Sequence, residues 1–286
     1  MGKKKVIIAI VAVVLIFAVV AAVYILTSKG EDKNKVEVVP DTTTSATTEA
    51  PVTTVPETEP TTTTVTTFPP FVNGLSLKAQ EAKQSNADTV GWIRLSNTVI
   101  DYPLVRTSDN DYYVSTNFYH NADPAGWVFV DYRCDFGPDL YSDNLMAYGH
   151  NMADGSMFSD LKKYQRDEAF YEANPIIEVS SLYADYQYKV FAFMLCNGVK
   201  GSDFEFWNYI NFAPGTDEWS LEEYLAKIDD KSLITTNVDV KEGDKLLMLS
   251  TCNTGDTTDP TRFVVLARMV RPGEDAYEGT TGSSRR

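Results

Sequence analysis

Leu246-Leu247-Met248-Leu249-Ser250-Thr251-Cys252, with Thr261-Arg262-Phe263-Val264-Val265-Leu266-Ala267 close behind it, is the stretch whose reading decides the fold. Two apolar, β-prone runs flank a polar segment, Asn253 to Pro260, rich in Asp, Thr and Gly. That pattern predicts two buried strands joined by a loop. Cys252 ends the first strand and Arg262 opens the second. Paired as a hairpin, they set a thiol and a guanidinium side by side at one rim of a sheet. A thiol nucleophile also needs a base, and the chain holds two histidines, His120 and His150. His150 follows a third apolar run, Leu145 to Tyr148, within Tyr148-Gly149-His150-Asn151, so a strand end is its expected position too.

Working outward, the globular part begins near Phe71. Leu75 to Ala87 reads as a helix. Strands follow at Val90 to Leu95 and Val99 to Val105, turning at Asn97-Thr98, then at Gly126 to Val130 and Leu145 to Tyr148. Ser156 is placed to cap a helix from Met157 to about Tyr164. Asn174-Pro175 breaks the chain before strands at Ile176 to Val179 and Tyr186 to Leu195. Asn197 to Gly215 reads as a long loop carrying Phe204, Phe206, Trp207 and Tyr209. Ser220-Leu221-Glu222-Glu223 matches a capping box and opens a helix with Leu221, Tyr224, Leu225 and Ile228 on one stripe. About eight strands and three helices, without strand–helix alternation, predict a mainly β fold: a barrel with helices inserted in its connections.

Ahead of that domain the composition changes twice. After five residues, Val6 to Leu26 is an uncharged apolar run that as a helix spans ~31 Å, enough for a bilayer core. A cleaved signal peptide would carry a shorter apolar region and a clear small-residue site, which Ala18 to Ala22 match only loosely. The run therefore reads as a retained anchor. Lysines flank it on both sides, so charge does not orient it; the bulk that follows makes an exported C-terminal domain the simpler arrangement. Residues 27–70, dominated from Pro40 by Thr and Pro, read as a disordered, extended stalk. The expected division is thus 1–5 cytoplasmic, 6–26 anchor, 27–70 stalk and 71–286 catalytic domain, on a single-pass protein of the cell membrane with that domain outside.

Composition narrows the chemistry. A formal net charge of -15 in 286 residues argues against a nucleic-acid partner. The three cysteines, Cys134, Cys196 and Cys252, leave at least one thiol unpaired, and a Cys134–Cys196 bridge stays open. No two sit at metal-ligand spacing, and Asp109 and Asp111 lack a full calcium loop, so neither metal nor cofactor is expected. Free cysteine titrates near ~8.5, so a neighbouring imidazole must take the proton or hold the thiolate. Attack on an acyl carbon then develops an oxyanion, for which a fixed guanidinium is a fitting donor. Each residue also has a plainer reading. Buried cysteines are mostly inert, a Gly-His-Asn turn is often only a turn, and Arg262 could pair with Asp256 or Asp259. Three reactive types at three strand ends favour chemistry.

Leu249-Ser250-Thr251-Cys252 with Arg262 beyond it, and Tyr148-Gly149-His150-Asn151 upstream, resemble a sortase, and more narrowly a class B sortase. Gly91-Trp92-Ile93, Ile100-Asp101-Tyr102-Pro103, Asp109-Asn110-Asp111-Tyr112-Tyr113, the Gly126 to Arg133 stretch and Gly155-Ser156-Met157-Phe158 extend the resemblance over roughly 75–280. It implies an eight-stranded sortase barrel on a membrane anchor of a Gram-positive bacterium. It implies an enzyme that cleaves a sorting motif, Asn-Pro-x-Thr-like, after threonine, and passes the acyl group to an amine of the cell wall or a pilin. On these positions Cys252 is the nucleophile, His150 the proton-transfer partner and Arg262 the oxyanion donor. Thr251, Asn110, Leu104 and Ser250 are candidates for the substrate groove. After the cysteine, where this class leads one to expect an acidic or aromatic residue, Asn253-Thr254-Gly255 is small and polar. His120 has no counterpart role and reads as a surface loop residue.

Two other functions compete. An exported cysteine peptidase or related thiol acyltransferase would share the chemistry, but an NlpC-type enzyme places Cys before His, and an L,D-transpeptidase a His-Gly-Cys-like cluster at the nucleophile. A non-catalytic, wall-associated binding module on a stalk would leave the three residues together by coincidence.

Overall fold

The computed structural model describes residues 73–137, 142–203, 219–254 and 258–286. The Val6 to Leu26 run, the Thr/Pro-rich segment and the aromatic candidates Phe204, Phe206, Trp207 and Tyr209 lie outside them. The strands are β1 (Thr89–Leu95), β2 (Asp101–Val105), β3 (Phe129–Val130), β4 (Asn144–Tyr148), β5 (Ile176–Ser181), β6 (Asp185–Asn197), β7 (Ile234–Thr235), β8 (Leu246–Cys252), β9 (Thr261–Met269) and β10 (Ser284–Arg285). Eight of them close a barrel in the order β1-β2-β3-β4-β8-β9-β6-β5, while β7 and β10 pair by themselves. The mainly β barrel expected from the sequence is the fold found.

Two patterns of residue choice explain who sits where. β1 alternates buried and half-buried positions along its length, as a strand with one covered face should. β8 is buried at every residue before Cys252, and β9 at every residue after Arg262. Strands buried on both faces read as continuous apolar runs, which is why this hairpin stands out in the sequence. β8 and β9 pair antiparallel with Cys252 opposite Arg262, the register the hairpin reading requires.

The helices are α1 (Leu75–Ser85), α2 (Lys163–Arg166), α3 (Glu168–Ala173) and α4 (Leu221–Lys231). The capping box forms at Ser220 and Glu223, and α4 buries Tyr224 and Ile228. The helix expected from Met157 to Tyr164 does not form as such. The Ser156 hydroxyl donates to Asp154 at 2.6 Å instead of capping, and Met157 sits at φ 57. A 3-10 turn, Ser159–Lys162, leads into α2 instead. α3, which the sequence reading did not anticipate, is capped by Asp167, which accepts from the Ala169 N–H at 3.0 Å.

At one end of the barrel a charged network ties the C-terminal segment down. The fully buried Arg268 donates from both Nη atoms to Glu274, at 2.5 and 2.8 Å, and the buried Lys189 donates to the same carboxylate at 2.7 Å. Arg271 grips Asp244 at 2.8 and 2.7 Å and Asp239 at 3.0 Å. Burial pushes the Glu274 carboxyl up, but the hydrogen bonds from Arg268 and Lys189 outweigh it and hold the group far below the usual carboxylate range. Removing that carboxylate would leave the buried Lys189 without its ion pair and take from Arg268 its two shortest contacts, with Asp239 left as its hydrogen-bonded acid. Glu274→Gln should therefore destabilise the domain by ~3 kcal/mol, lowering Tm by roughly 6–12 °C in a thermal melt followed by circular dichroism. Because the folded pKa is depressed, the contribution is complete above the ordinary glutamate value of ~4.3 and is lost as pH falls below it. An unchanged melt at neutral pH would show that the network adds no net stability.

Candidate active site

Three strand ends meet at one rim. β4 runs parallel to β8, with Tyr148 beside Ser250, so both strands finish on the same side of the barrel. The Gly149 N–H donates to the Ser250 carbonyl at 3.2 Å, carrying the ladder one step further and delivering His150 beside the end of β8. The antiparallel β9 begins at that same rim. The Asn253 N–H donates to the Thr261 carbonyl at 3.0 Å, which makes those two a hydrogen-bonded pair. Cys252 and Arg262, one step earlier, are then a non-hydrogen-bonded pair, the narrow kind with Cα atoms ~4.5 Å apart and side chains close together. Two glycines keep the rim clear. A Cβ at Gly149 would stand 2.7 Å from the Phe158 ring, and one at Gly198 would stand 3.1 Å from Cγ of Arg262.

The imidazole is held from behind. His150 Nε2 lies 2.8 Å from the carbonyl of Val114, at the end of a 3-10 turn, Tyr112–Val114. A carbonyl only accepts, so Nε2 carries a proton, and Nδ1 is the nitrogen left to exchange one. Hydrogen bonding to Cys252 pushes the His150 pKa above its ordinary value; burial and the Arg262 charge oppose this, and the Val114 carbonyl supports it. Hydrogen bonding to His150 likewise pulls the Cys252 thiol below the ordinary cysteine value, against burial and with help from the Arg262 charge. Both shifts move the proton from sulfur toward the ring. Among the described residues Arg262 spends only Nη1 on its own neighbourhood, donating to the carbonyls of Thr261 at 3.3 Å and Asp259 at 3.4 Å. The Asp259 carboxylate accepts instead from the Thr261 N–H at 2.8 Å and the Thr254 hydroxyl at 3.0 Å. Asp256 lies outside the described residues.

A cleft of about 450 Å³ opens over these groups. Cys252, His150 and Arg262 line it, and so do Asn110, Ser250 and Thr251 among the groove candidates. Leu104 does not. It is 1% exposed and belongs to the main core, because the apolar end of β2 is buried there and leaves no side chain free for a ligand. His120 is an exposed loop residue whose Nδ1 sits 3.1 Å from the Tyr112 hydroxyl. The Asp109 carboxylate accepts from the N–H groups of Asp111 and Tyr112, both at 2.9 Å, which is the work of a turn. Among the described residues no cluster of His, Cys, Asp or Glu could hold a metal ion.

Sequence reasoning missed the residue that organises the cleft wall. Asp131 is fully buried, and its carboxylate accepts from Asn110 Nδ2 at 2.8 Å, the Tyr148 hydroxyl at 2.9 Å and Arg133 Nε and Nη2 at 2.9 and 2.8 Å. Asn110, Tyr148 and Arg133 all line the cleft, so one buried carboxylate orients three of its walls. Burial pushes Asp131 up, but hydrogen bonds led by Arg133 hold it below the usual range. The available signal was an acid placed directly after the apolar Val128-Phe129-Val130 run.

With this geometry in view, comparison with known proteins is unambiguous. A family model described as a sortase domain matches residues 105–270. Sortase B of Listeria monocytogenes is 35% identical over 191 residues, covering 67% of this chain and 73% of that one. A Staphylococcus aureus sortase B–substrate complex superposes with a TM-score of 0.59 at 27% identity, covering 69% of this chain and 86% of that one. A sortase B complexed with triglycine has the same TM-score at 29% identity, covering 68% and 86%. The chain belongs to the sortase family, whose members are cysteine transpeptidases. Its relatives and structural neighbours place it within class B.

The three thiols separate on the same physics. All are free; burial pushes Cys134 up to about 11 and Cys196 up to about 12, while Cys252 is half-buried at the cleft and shifted down. Iodoacetamide at about pH 8, below the free-cysteine value, should therefore alkylate Cys252 alone, as read by peptide mass spectrometry. Equal labelling of all three thiols in the folded protein would contradict this placement.

Proposed function

We propose that Cys252 is the nucleophile of a sorting-signal transpeptidation, His150 its proton carrier and Arg262 the oxyanion donor. The observation that carries this is the placement of Cys252, His150 and Arg262 around one cleft, with Cys252 opposite Arg262 in the strand register and the interaction of thiol and imidazole shifting the first down and the second up. The Cys252 thiol gives its proton to His150 Nδ1 and attacks the carbonyl carbon of the threonine in an Asn-Pro-x-Thr-like motif. Arg262 faces the oxygen that gains charge. As the tetrahedral species collapses, His150 returns the proton to the departing amine and a thioester remains on sulfur. An acceptor amine loses a proton to His150, attacks the thioester and leaves with the acyl group, and the thiol is restored. Asn110, Ser250 and Thr251 line the cleft in which the motif would lie.

Two structural neighbours support both halves of the cycle, one being a sortase B–substrate complex and the other a sortase B complexed with triglycine. An acceptor amine held in the cleft outcompetes water through effective concentration. The acceptor class is then an amine of a peptidoglycan precursor or a pilin. The Val6 to Leu26 run and the Thr/Pro-rich segment fit a single-pass anchor and stalk that hold the domain outside the membrane. Protease added to wall-stripped protoplasts should release a fragment starting between Pro40 and Phe71; protection until lysis would reverse that orientation.

The reaction is tested on the full chain in detergent with an Asn-Pro-x-Thr-type peptide and a panel of wall-peptide and pilin-lysine amines. An amide product should form, and a covalent adduct on Cys252 should accumulate when the amine is withheld. Free carboxylic acid as the only product, at a rapid rate the amines do not change, would make the enzyme a cysteine peptidase. In the same assay Arg262→Lys should lose ~10²–10³ in kcat, because Lys keeps the charge but not the planar fork. Near-full activity would reduce Arg262 to a diffuse charge.

A further inference from the structure

Asn253, directly after the proposed nucleophile, is where this chain departs from the residue its class leads one to expect. It is half-buried and does not line the cleft. A lysine engages it instead. Lys162 Nζ donates to Asn253 Oδ1 at 2.9 Å and also to the Asn253 backbone carbonyl. Lys162 is 6% exposed, at the end of the 3-10 turn Ser159–Lys162. It forms no ion pair among the described residues, where both of its hydrogen bonds go to Asn253. A buried ammonium is costly unless its donors are satisfied, so these two bonds hold Lys162 and Asn253 together firmly.

The segment bearing Lys162 is also the segment bearing His150. The Phe158 N–H donates to the His150 carbonyl at 2.9 Å, and Asn151 bridges to Met157. Asn151 Nδ2 in turn donates to the Cys252 carbonyl at 3.1 Å. The two peptide carbonyls that follow the thiol, those of Cys252 and Asn253, are thus both gripped by side chains of the His150 loop. β8 ends here, and its ladder to β9 is about to give way to the loop. Without these bonds the backbone torsions at Cys252 would be set by a strand end alone.

We propose that Lys162 and Asn151 form a latch across the site: positioning residues that fix the sulfur of Cys252 relative to the His150 ring, with Asn253 as the latch's catch. The proposal rests on the reading of Cys252 as nucleophile. A latch acts on alignment, so its loss lowers the chemical step and leaves peptide binding alone; a misplacement of ~1 Å can cost ~10²-fold in rate.

The test is the steady-state kinetics of sorting-peptide cleavage by the full chain carrying Lys162→Met, Asn253→Ala, or both, with Cys252→Ala in parallel. Lys162→Met should lower kcat about 10- to 100-fold with KM within about twofold of the parent. Asn253→Ala should lower kcat by less, and the double variant should lose no more than Lys162→Met, since the two groups share one interaction. Wild-type kcat in Lys162→Met, additive losses in the double variant, or a rise in KM at constant kcat would each overturn the latch. If Lys162→Met fails to fold by circular dichroism, Asn253→Ala decides, and wild-type kcat there overturns it. Inactive Cys252→Ala with wild-type Lys162→Met overturns the latch alone. Activity surviving in Cys252→Ala overturns the nucleophile reading and the latch with it.

Discussion

The ladder between β4 and β8 is the constraint on which the site depends. These strands run parallel with Ala147 beside Leu249 and Tyr148 beside Ser250, and that register delivers Gly149-His150 to the end of the strand that carries Cys252. Strand side chains alternate faces, so a slip by one residue would turn Cys252 away from the imidazole. What forbids the slip is burial. Leu145, Met146, Ala147 and Leu246 to Leu249 are all at most 1% exposed, and each large apolar side chain contributes about 1.5–3 kcal/mol by staying so. β9 then adds Arg262 by antiparallel pairing to the same strand. The core thus sets the positions of the reactive groups, and the reactive groups need contribute nothing to the core.

That division explains what could be read from the sequence. Long apolar runs buried on both faces announce β8 and β9, and a polar residue at the end of such a run is conspicuous, so Cys252, Arg262 and His150 were legible. The closed order of the strands was not, because β4 finds β8 and β1 finds β5 across long stretches of chain that leave no local mark. Local rules failed where a neighbour competed for the same group. Ser156 has the chemistry of a helix cap, but Asp154 takes its hydroxyl, and the left-handed backbone at Met157 delays the helix. Leu104, which the structure places in the core, shows the converse limit, since an apolar residue at the end of a strand can face a groove or a core, and only the packing decides.

Buried ionisable residues were the least legible. Asp131 orients Asn110, Tyr148 and Arg133, and Lys162 holds Asn253, through partners brought together only by the fold. In the sequence an acid or a lysine of this kind looks like any solvated charge. Its value comes from low dielectric and satisfied hydrogen bonds, which strengthen each contact and penalise the loss of any one. The cleft wall and the segment after Cys252 are therefore backed by a layer of polar groups that pattern reading passes over.

The central claim is that the Cys252 thiol and the His150 ring share a proton, drawn toward the ring. The most direct measurement is a nitrogen-15 NMR titration of His150 in the full chain carrying His120→Gln, which leaves a single imidazole to observe. The account predicts that His150 titrates above the free-histidine value of ~6.5, with Nε2 protonated in the neutral form, and that Cys252→Ala lowers its pKa toward that value. The same titration with and without the thiol would contradict it.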